Sequence, residues 1–233
     1  LVNSVLDPLN NFTNEGGVGG TFRFLKNITG LWLLQQCLRA WDRERSYEYA
    51  ELTEMAAAAP AFPSLIDPQD GAFLNPPDMP EAIRRFCRDT GQPAPDSPGA
   101  FTRCILESLA LSYRMVLEQL RQTAGRPIRT LHVVGGGSRN ALLCQFTADA
   151  TGLPVVAGPA EATAIGNMLV QALALGYVSS LEEVRELTRG SFQLSRYEPR
   201  QVERWDAAYA DFLSLAAARG WLYISSADGK LVC

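Results

Sequence analysis

Apolar residues recur at helical spacing along most of the chain. Leu31, Leu34, Cys37, Leu38 and Trp41 predict a helix over 31–45, and an Ala- and Glu-rich segment predicts a second over 46–59, closed by Pro60. A long amphipathic helix is expected over 100–124, with Ile105, Leu109, Ser112, Val116 and Leu120 along one stripe. Further helices are expected over 140–151, 161–175, 180–187 and 201–218. Short apolar runs at 130–134 and 154–157 are too brief for helices and predict strands. Residues 11–30 place four glycines between two segments rich in Thr and Phe, the pattern of a β-hairpin. Six prolines between Pro60 and Pro80 predict an irregular excursion, and short helices are expected around the loop 92–98.

The order strand, helix, strand, helix in the second half predicts an α/β layer with at least one parallel pair. Residues 224–233 follow no pattern and are expected to form a frayed tail. A length of 233 residues suits one large domain or two small ones. The formal net charge of −4 argues against a nucleic-acid partner, which would call for a basic face. No apolar run reaches the roughly 20 residues of a membrane span. The start Leu1-Val2-Asn3-Ser4 lacks the pattern of a signal peptide and an initiator Met, so the chain is expected to begin inside a longer gene product and to be cytoplasmic.

The candidate chemistry begins at Leu131-His132-Val133-Val134-Gly135-Gly136-Gly137-Ser138-Arg139-Asn140, a strand, a glycine turn and a helix start. Three glycines let the backbone approach a flat or anionic ligand, and Ser138 or Asn140 can cap the next helix. The same pattern also suits a plain tight turn. It is neither a Rossmann fingerprint nor a P-loop. Arg126, Arg129 and Arg139 are the basic residues around it, so a ligand here would rest on amides and shape. Downstream, Ala160, Ala162, Ala164 and Gly166 allow a helix to lie close to a neighbour, and Glu161 suits that helix's N-terminal dipole.

Gly-Gly-Gly-Ser-Arg-Asn, then Ala148-Asp149-Ala150-Thr151-Gly152, Pro154-Val155-Val156 and Glu161-Ala162-Thr163-Ala164-Ile165-Gly166, resembles the C-terminal domain of FGGY carbohydrate kinases. The stretch from Asn11 to Gln35, with Ala157-Gly158-Pro159, Gly166-Asn167 and Gln171, is similar to the L-rhamnulose kinases of that family. The resemblance implies an actin-like ATPase (ribonuclease-H-like) α/β fold, a mixed sheet flanked by helices, with the family domain over 1–218 and 219–233 a tail. It implies transfer of the ATP γ-phosphoryl group to the 1-hydroxyl of L-rhamnulose with Mg²⁺. Another ketose or deoxy sugar, such as fuculose or xylulose, and a non-catalytic binding module remain open alternatives.

By resemblance, Gly136 with Gly135 and Gly137, and Gln35, contact nucleotide, and Asn27 contacts sugar. As neutral amides, Asn27 and Gln35 both donate and accept, and their i, i+8 spacing is expected to put them on one side of a helix start. Gln35 also reads as a solvated helix residue. The family's catalytic Asp belongs to a stretch with no counterpart here, since Asp7 before Pro8 reads as a turn. No residue of this chain is therefore assigned as catalytic or metal-ligating. An N-terminal sugar- and phosphate-binding domain of the same polypeptide is the expected partner, and the fragment alone is expected to be inactive.

Cys37, Cys87, Cys104, Cys144 and Cys233 form no close pair of the zinc kind. Cys87 ends one expected helix and Cys104 begins another, so the loop between them could fold back and allow a disulfide, adding about 3 kcal/mol in the chain-entropy model. Reduced thiols, favoured by cytoplasmic redox poise, are the alternative.

Overall fold

A computed structural model describes residues 11–125 and 127–218. Asp7 and its turn, Arg126, and the tail at 219–233 with Cys233 lie outside the described residues. The strands are β1 (Thr13–Gly16), β2 (Phe22–Leu25), β3 (Leu131–Val133), β4 (Val155–Ala157) and β5 (Ser195–Tyr197). Between the hairpin and β3 lie α1 (Trp32–Trp41), α2 (Tyr49–Ala58), α3 (Met79–Asp89) and α4 (Pro98–Ala124). After β3 come α5 (Ala141–Thr151), α6 (Ala162–Ala174), α7 (Leu181–Ser191) and α8 (Val202–Ala218). Two compact units divide these elements: the hairpin up to Lys26 with Val116–Val202, and Asn27–Met115 with the helix from Glu203.

In the first unit, β1 and β2 pair antiparallel with Thr13 opposite Leu25 and Gly16 opposite Phe22. Gly19 and Gly20 take positive φ in the turn, a conformation that costs glycine little. Phe12 stacks on Phe24 at 4.8 Å, and Lys26 donates from Nζ to Gln119 Oε1 at 2.9 Å, tying the hairpin to the last turns of α4. The second sheet has the order β3-β4-β5, with β3 and β4 parallel and β5 antiparallel to β4. Its core is small. Cys144 and Ala148 of α5 meet Val155 and Ala157 of β4, with Leu131, Val133 and Tyr197 packed around them.

The sequence pattern did not predict β5. Its three residues, Ser-Arg-Tyr, carry no apolar alternation, and the strand exists because β4 offers it an edge. Asp149 holds the chain beyond it: Oδ1 accepts from Arg200 N at 2.7 Å and from Gln145 Nε2 at 2.9 Å.

The second unit is organised by the N-terminal part of α4. Amphipathicity was expected there, yet every residue from Cys104 to Ser112 is buried, the signature of a helix enclosed on all sides. Two of its buried polar groups serve the proline-rich segment, whose backbone has no ladder of its own. Glu107 accepts from Phe62 N at 2.9 Å and from Arg103 Nε at 2.7 Å, and Ser108 Oγ accepts from Ile66 N at 2.9 Å. Gln92 pairs with the Leu65 amide at 2.8 Å and its carbonyl at 2.9 Å. Phe62 sits at φ 58°, uncommon for an aromatic residue, and its ring meets Trp205 edge-on at 4.8 Å. Helix α1 stops at Trp41, short of the expected 45, where the chain tightens and Glu44 N donates to the Trp41 carbonyl three residues back at 2.8 Å.

Cys87 and Cys104 do come together, but as free thiols hydrogen-bonded to each other, with Ser64 beside them. The disulfide considered above is therefore not formed in this structure. The pair fills core space as two small apolar residues, and the hydrogen bond to Cys87, with burial, pushes the Cys104 thiol up.

Burial raises the Glu107 carboxyl above its ordinary value, against the pull of Arg103. A carboxyl raised in the folded state favours folding at low pH, and loses that effect as pH climbs from its unfolded pKa through the folded one. The stability of the wild type relative to Glu107→Gln should therefore fall as pH rises above about 4, read by denaturant unfolding. A difference that grows with pH would mean that the Arg103 pairing outweighs burial.

Candidate functional site

The glycine turn lies at the C-terminal end of β3, next to the turn that follows β4. Backbone bonds lock the two turns together. Gly158 N donates to Val133 O at 2.8 Å, and Gly135 N donates to Pro159 O at 3.2 Å, so the parallel pairing continues past the strands. Gly135 has φ 77° and ψ −163°, a region open essentially to glycine alone. Ser138 braces the turn from within, donating from Oγ to Gly135 O at 2.7 Å and from N to the same oxygen at 3.0 Å.

Each glycine of the three has a different surrounding. A Cβ on Gly135 would lie 3.9 Å from Ala160 O, and one on Gly137 would lie 4.0 Å from Val133 Cγ1. On Gly136 it would meet nothing within 4 Å, so this residue presents bare backbone to open space. The amides of Gly136 and Gly137 have no acceptor among the described residues, as expected for the first residues of the 3-10 turn Gly136–Arg139. Below, the thiol of Cys144 lies 3.9 Å from Gly137 O, and burial pushes it up to about 11.

Asn140, and not Ser138, caps α5: its Oδ1 accepts from Leu143 N at 2.9 Å. Its other end is unpaired. Asn140 is only 8% exposed, and Nδ2 has no partner, leaving two amide hydrogens at the end of the glycine turn. A buried unsatisfied donor is costly, which marks Asn140 as a ligand-contacting candidate as well as the helix cap its sequence position predicts. The available signal was the choice of an amide where Ser or Asp would cap as well. Beside it, Arg139 Nη2 donates to Glu161 Oε1 at 2.7 Å, bridging the glycine turn to the start of α6.

Asn27 and Gln35 belong to the second unit. Both are exposed, and neither side chain has a hydrogen-bond partner among the described residues. Gln35 sits in the first turn of α1, whereas Asn27 precedes the helix by five residues. The helical i, i+8 relation expected for them therefore does not hold, because residues 27–30 are not helical. A cavity of about 340 Å³ in this unit is lined by Trp41, Tyr47, Arg84 and Phe101 among others, and by none of the predicted site residues. Among the described residues no group of three His, Cys, Asp or Glu side chains converges.

Removing the cap separates the two roles of Asn140. Asn140→Ala should lower unfolding stability by about 1 kcal/mol, while Asn140→Ser keeps the cap and should stay within about 0.5 kcal/mol of wild type. Equal losses in both would mean that the amide nitrogen, and not the cap, stabilises the fold.

The chain is 55% identical over 202 residues to a rhamnulokinase of Bacteroides thetaiotaomicron, covering 87% of this chain and 41% of that protein. It is 48% identical over 206 residues to a rhamnulokinase of Pectobacterium carotovorum, covering 88% and 41%. This chain thus spans about two-fifths of the length of these relatives. A ligand-bound xylulose kinase from Lactobacillus acidophilus superimposes with a TM-score of 0.64 at 14% identity, covering 94% of this chain and 44% of that one, which shows the fold to be the actin-like one of FGGY sugar kinases. Residues 2–175 match the C-terminal domain of the FGGY family of carbohydrate kinases, and to that family the chain belongs.

Proposed function

We propose that this chain is the nucleotide-binding part of a kinase that transfers the γ-phosphoryl group of ATP to the 1-hydroxyl of L-rhamnulose. The identity of 55% and 48% to two rhamnulokinases carries the choice of sugar, and favours it over fuculose or xylulose. The glycine turn supports the nucleotide half of the reading. Gly136 offers a surface with no side chain, Gly135 and Gly137 shape it, and Asn140 Nδ2 supplies a buried donor without a partner. Gln35 is proposed as a further nucleotide contact and Asn27 as a sugar contact, each with its amide free to donate and accept.

Phosphoryl transfer relies on positioning and on charge stabilisation around the phosphates. This chain's residues hold the nucleotide and keep its position fixed through the locked turns. The carboxylate that takes the proton from the sugar hydroxyl, the phosphate loop and the ligands of Mg²⁺ are assigned to the N-terminal domain of the same polypeptide. Mg²⁺, when bound, would offset charge on the phosphate oxygens. The cytoplasm is the proposed compartment.

The test is a coupled assay on the full-length enzyme with ATP and L-rhamnulose, L-fuculose or D-xylulose. L-Rhamnulose should give the highest kcat/KM, and residues 1–233 alone should give no sugar-dependent ATP consumption. Gly136→Val, whose side chain meets open space in the fold, should raise the KM for ATP at least about tenfold, ~1.4 kcal/mol, and leave sugar affinity unchanged. A preference for another sugar overturns the substrate, turnover by the fragment overturns the division of labour, and an unchanged ATP dependence removes Gly136 from the site.

A further inference from the structure

The ion pair between Arg139 and Glu161 has no part in holding the fold that the backbone bonds do not already play. The turns it bridges are fixed by Gly135 N to Pro159 O and by Gly158 N to Val133 O. Its side chains are 69% and 71% exposed, and exposed pairs contribute little to stability. The pair places a planar guanidinium at the rim of the glycine turn.

The chemistry around that rim favours a flat, neutral group over a polyphosphate. Arg139 is the one cation of the turn, and Glu161 already neutralises it. Glu161 also sets a carboxylate at the N-terminus of α6, where an anion would otherwise be drawn, and its side chain caps nothing there. Within the turn the amides of Gly136 and Gly137 have no acceptor among the described residues, and Asn140 Nδ2 is a neutral donor suited to a ring nitrogen or carbonyl. Gly136 leaves the adjoining surface bare.

We propose that Arg139 is a specificity residue whose guanidinium, paired with Glu161 at the rim of the turn, stacks on the heteroaromatic base of the nucleotide. The assignment rests on the nucleotide reading above and adds to it which end of the ligand meets this rim and through which side chain. Glu161 is a positioning residue, acting through Arg139. Guanidinium groups stack on π-faces in a way that an ammonium does not reproduce, so lysine should be a poor substitute.

Amide chemical shifts of the ¹⁵N-labelled 233-residue chain, titrated with adenosine and separately with inorganic tripolyphosphate, test the proposal. Arg139→Ala and Arg139→Lys should each weaken adenosine binding about three- to fivefold and leave tripolyphosphate binding unchanged. Glu161→Ala should weaken adenosine binding less, and should add nothing in the Arg139→Ala background. Recovery of adenosine binding by lysine, or loss confined to tripolyphosphate, would assign Arg139 a charge role and overturn stacking. Wild-type affinity for adenosine in Arg139→Ala removes the residue from the site. If neither adenosine nor ATP moves the amides of Gly135 to Asn140 in the wild type, the nucleotide reading itself fails. If ATP moves them and the variants behave as wild type, only the role of Arg139 fails.

Discussion

The site depends on a backbone crossing between two glycine-led turns. Gly135 can donate to Pro159 O only because it adopts φ 77° and ψ −163°, where a side chain would be strained. Gly158, at φ 108°, donates to Val133 O from the other side, and a Cβ there would press on Leu194 Cδ2 at 3.3 Å and Gln193 O at 3.4 Å. These two bonds extend the parallel pairing of β3 and β4 by a residue on each side. They bring the start of α6 beside the turn that leads into α5. Gly136, Asn140, Arg139 and Glu161 all take their positions from that crossing.

A different constraint governs the other unit. A segment with six prolines cannot form a ladder, so its amides must find acceptors elsewhere. Glu107, Ser108 and Gln92 supply them, and Glu107 and Ser108 are buried in a helix that is apolar around them. Fixing the excursion in this way requires a carboxylate in the core, offset by Arg103, which also bonds the Ala56 carbonyl at 3.0 Å at the end of α2. Glu107 and Ser108 of α4 are thus acceptors for the segment that packs over the helix.

Periodicity was sufficient where one element decides its own structure. The hairpin, the helices and the two parallel strands could be read from alternation, stripes and glycine positions, with ends displaced by a few residues. It failed where the partner decides. β5 has no pattern of its own, and α4 looks amphipathic although its polar residues Glu107, Ser108 and Ser112 are buried. The glycine turn was visible from three adjacent glycines and a following cap, but their unequal roles were not, because only the fold tells which Cβ would meet space. Asn140 shows the same limit. The sequence shows a cap, and only burial shows that half of its amide is left over.

Hydrogen–deuterium exchange of this chain, with and without millimolar ATP, tests most directly whether the crossing is a nucleotide site. Slower exchange at the amides of Gly136 and Gly137, and across the first turn of α6, is the result expected of a ligand seated there. Unchanged exchange in both turns at saturating ATP would contradict it.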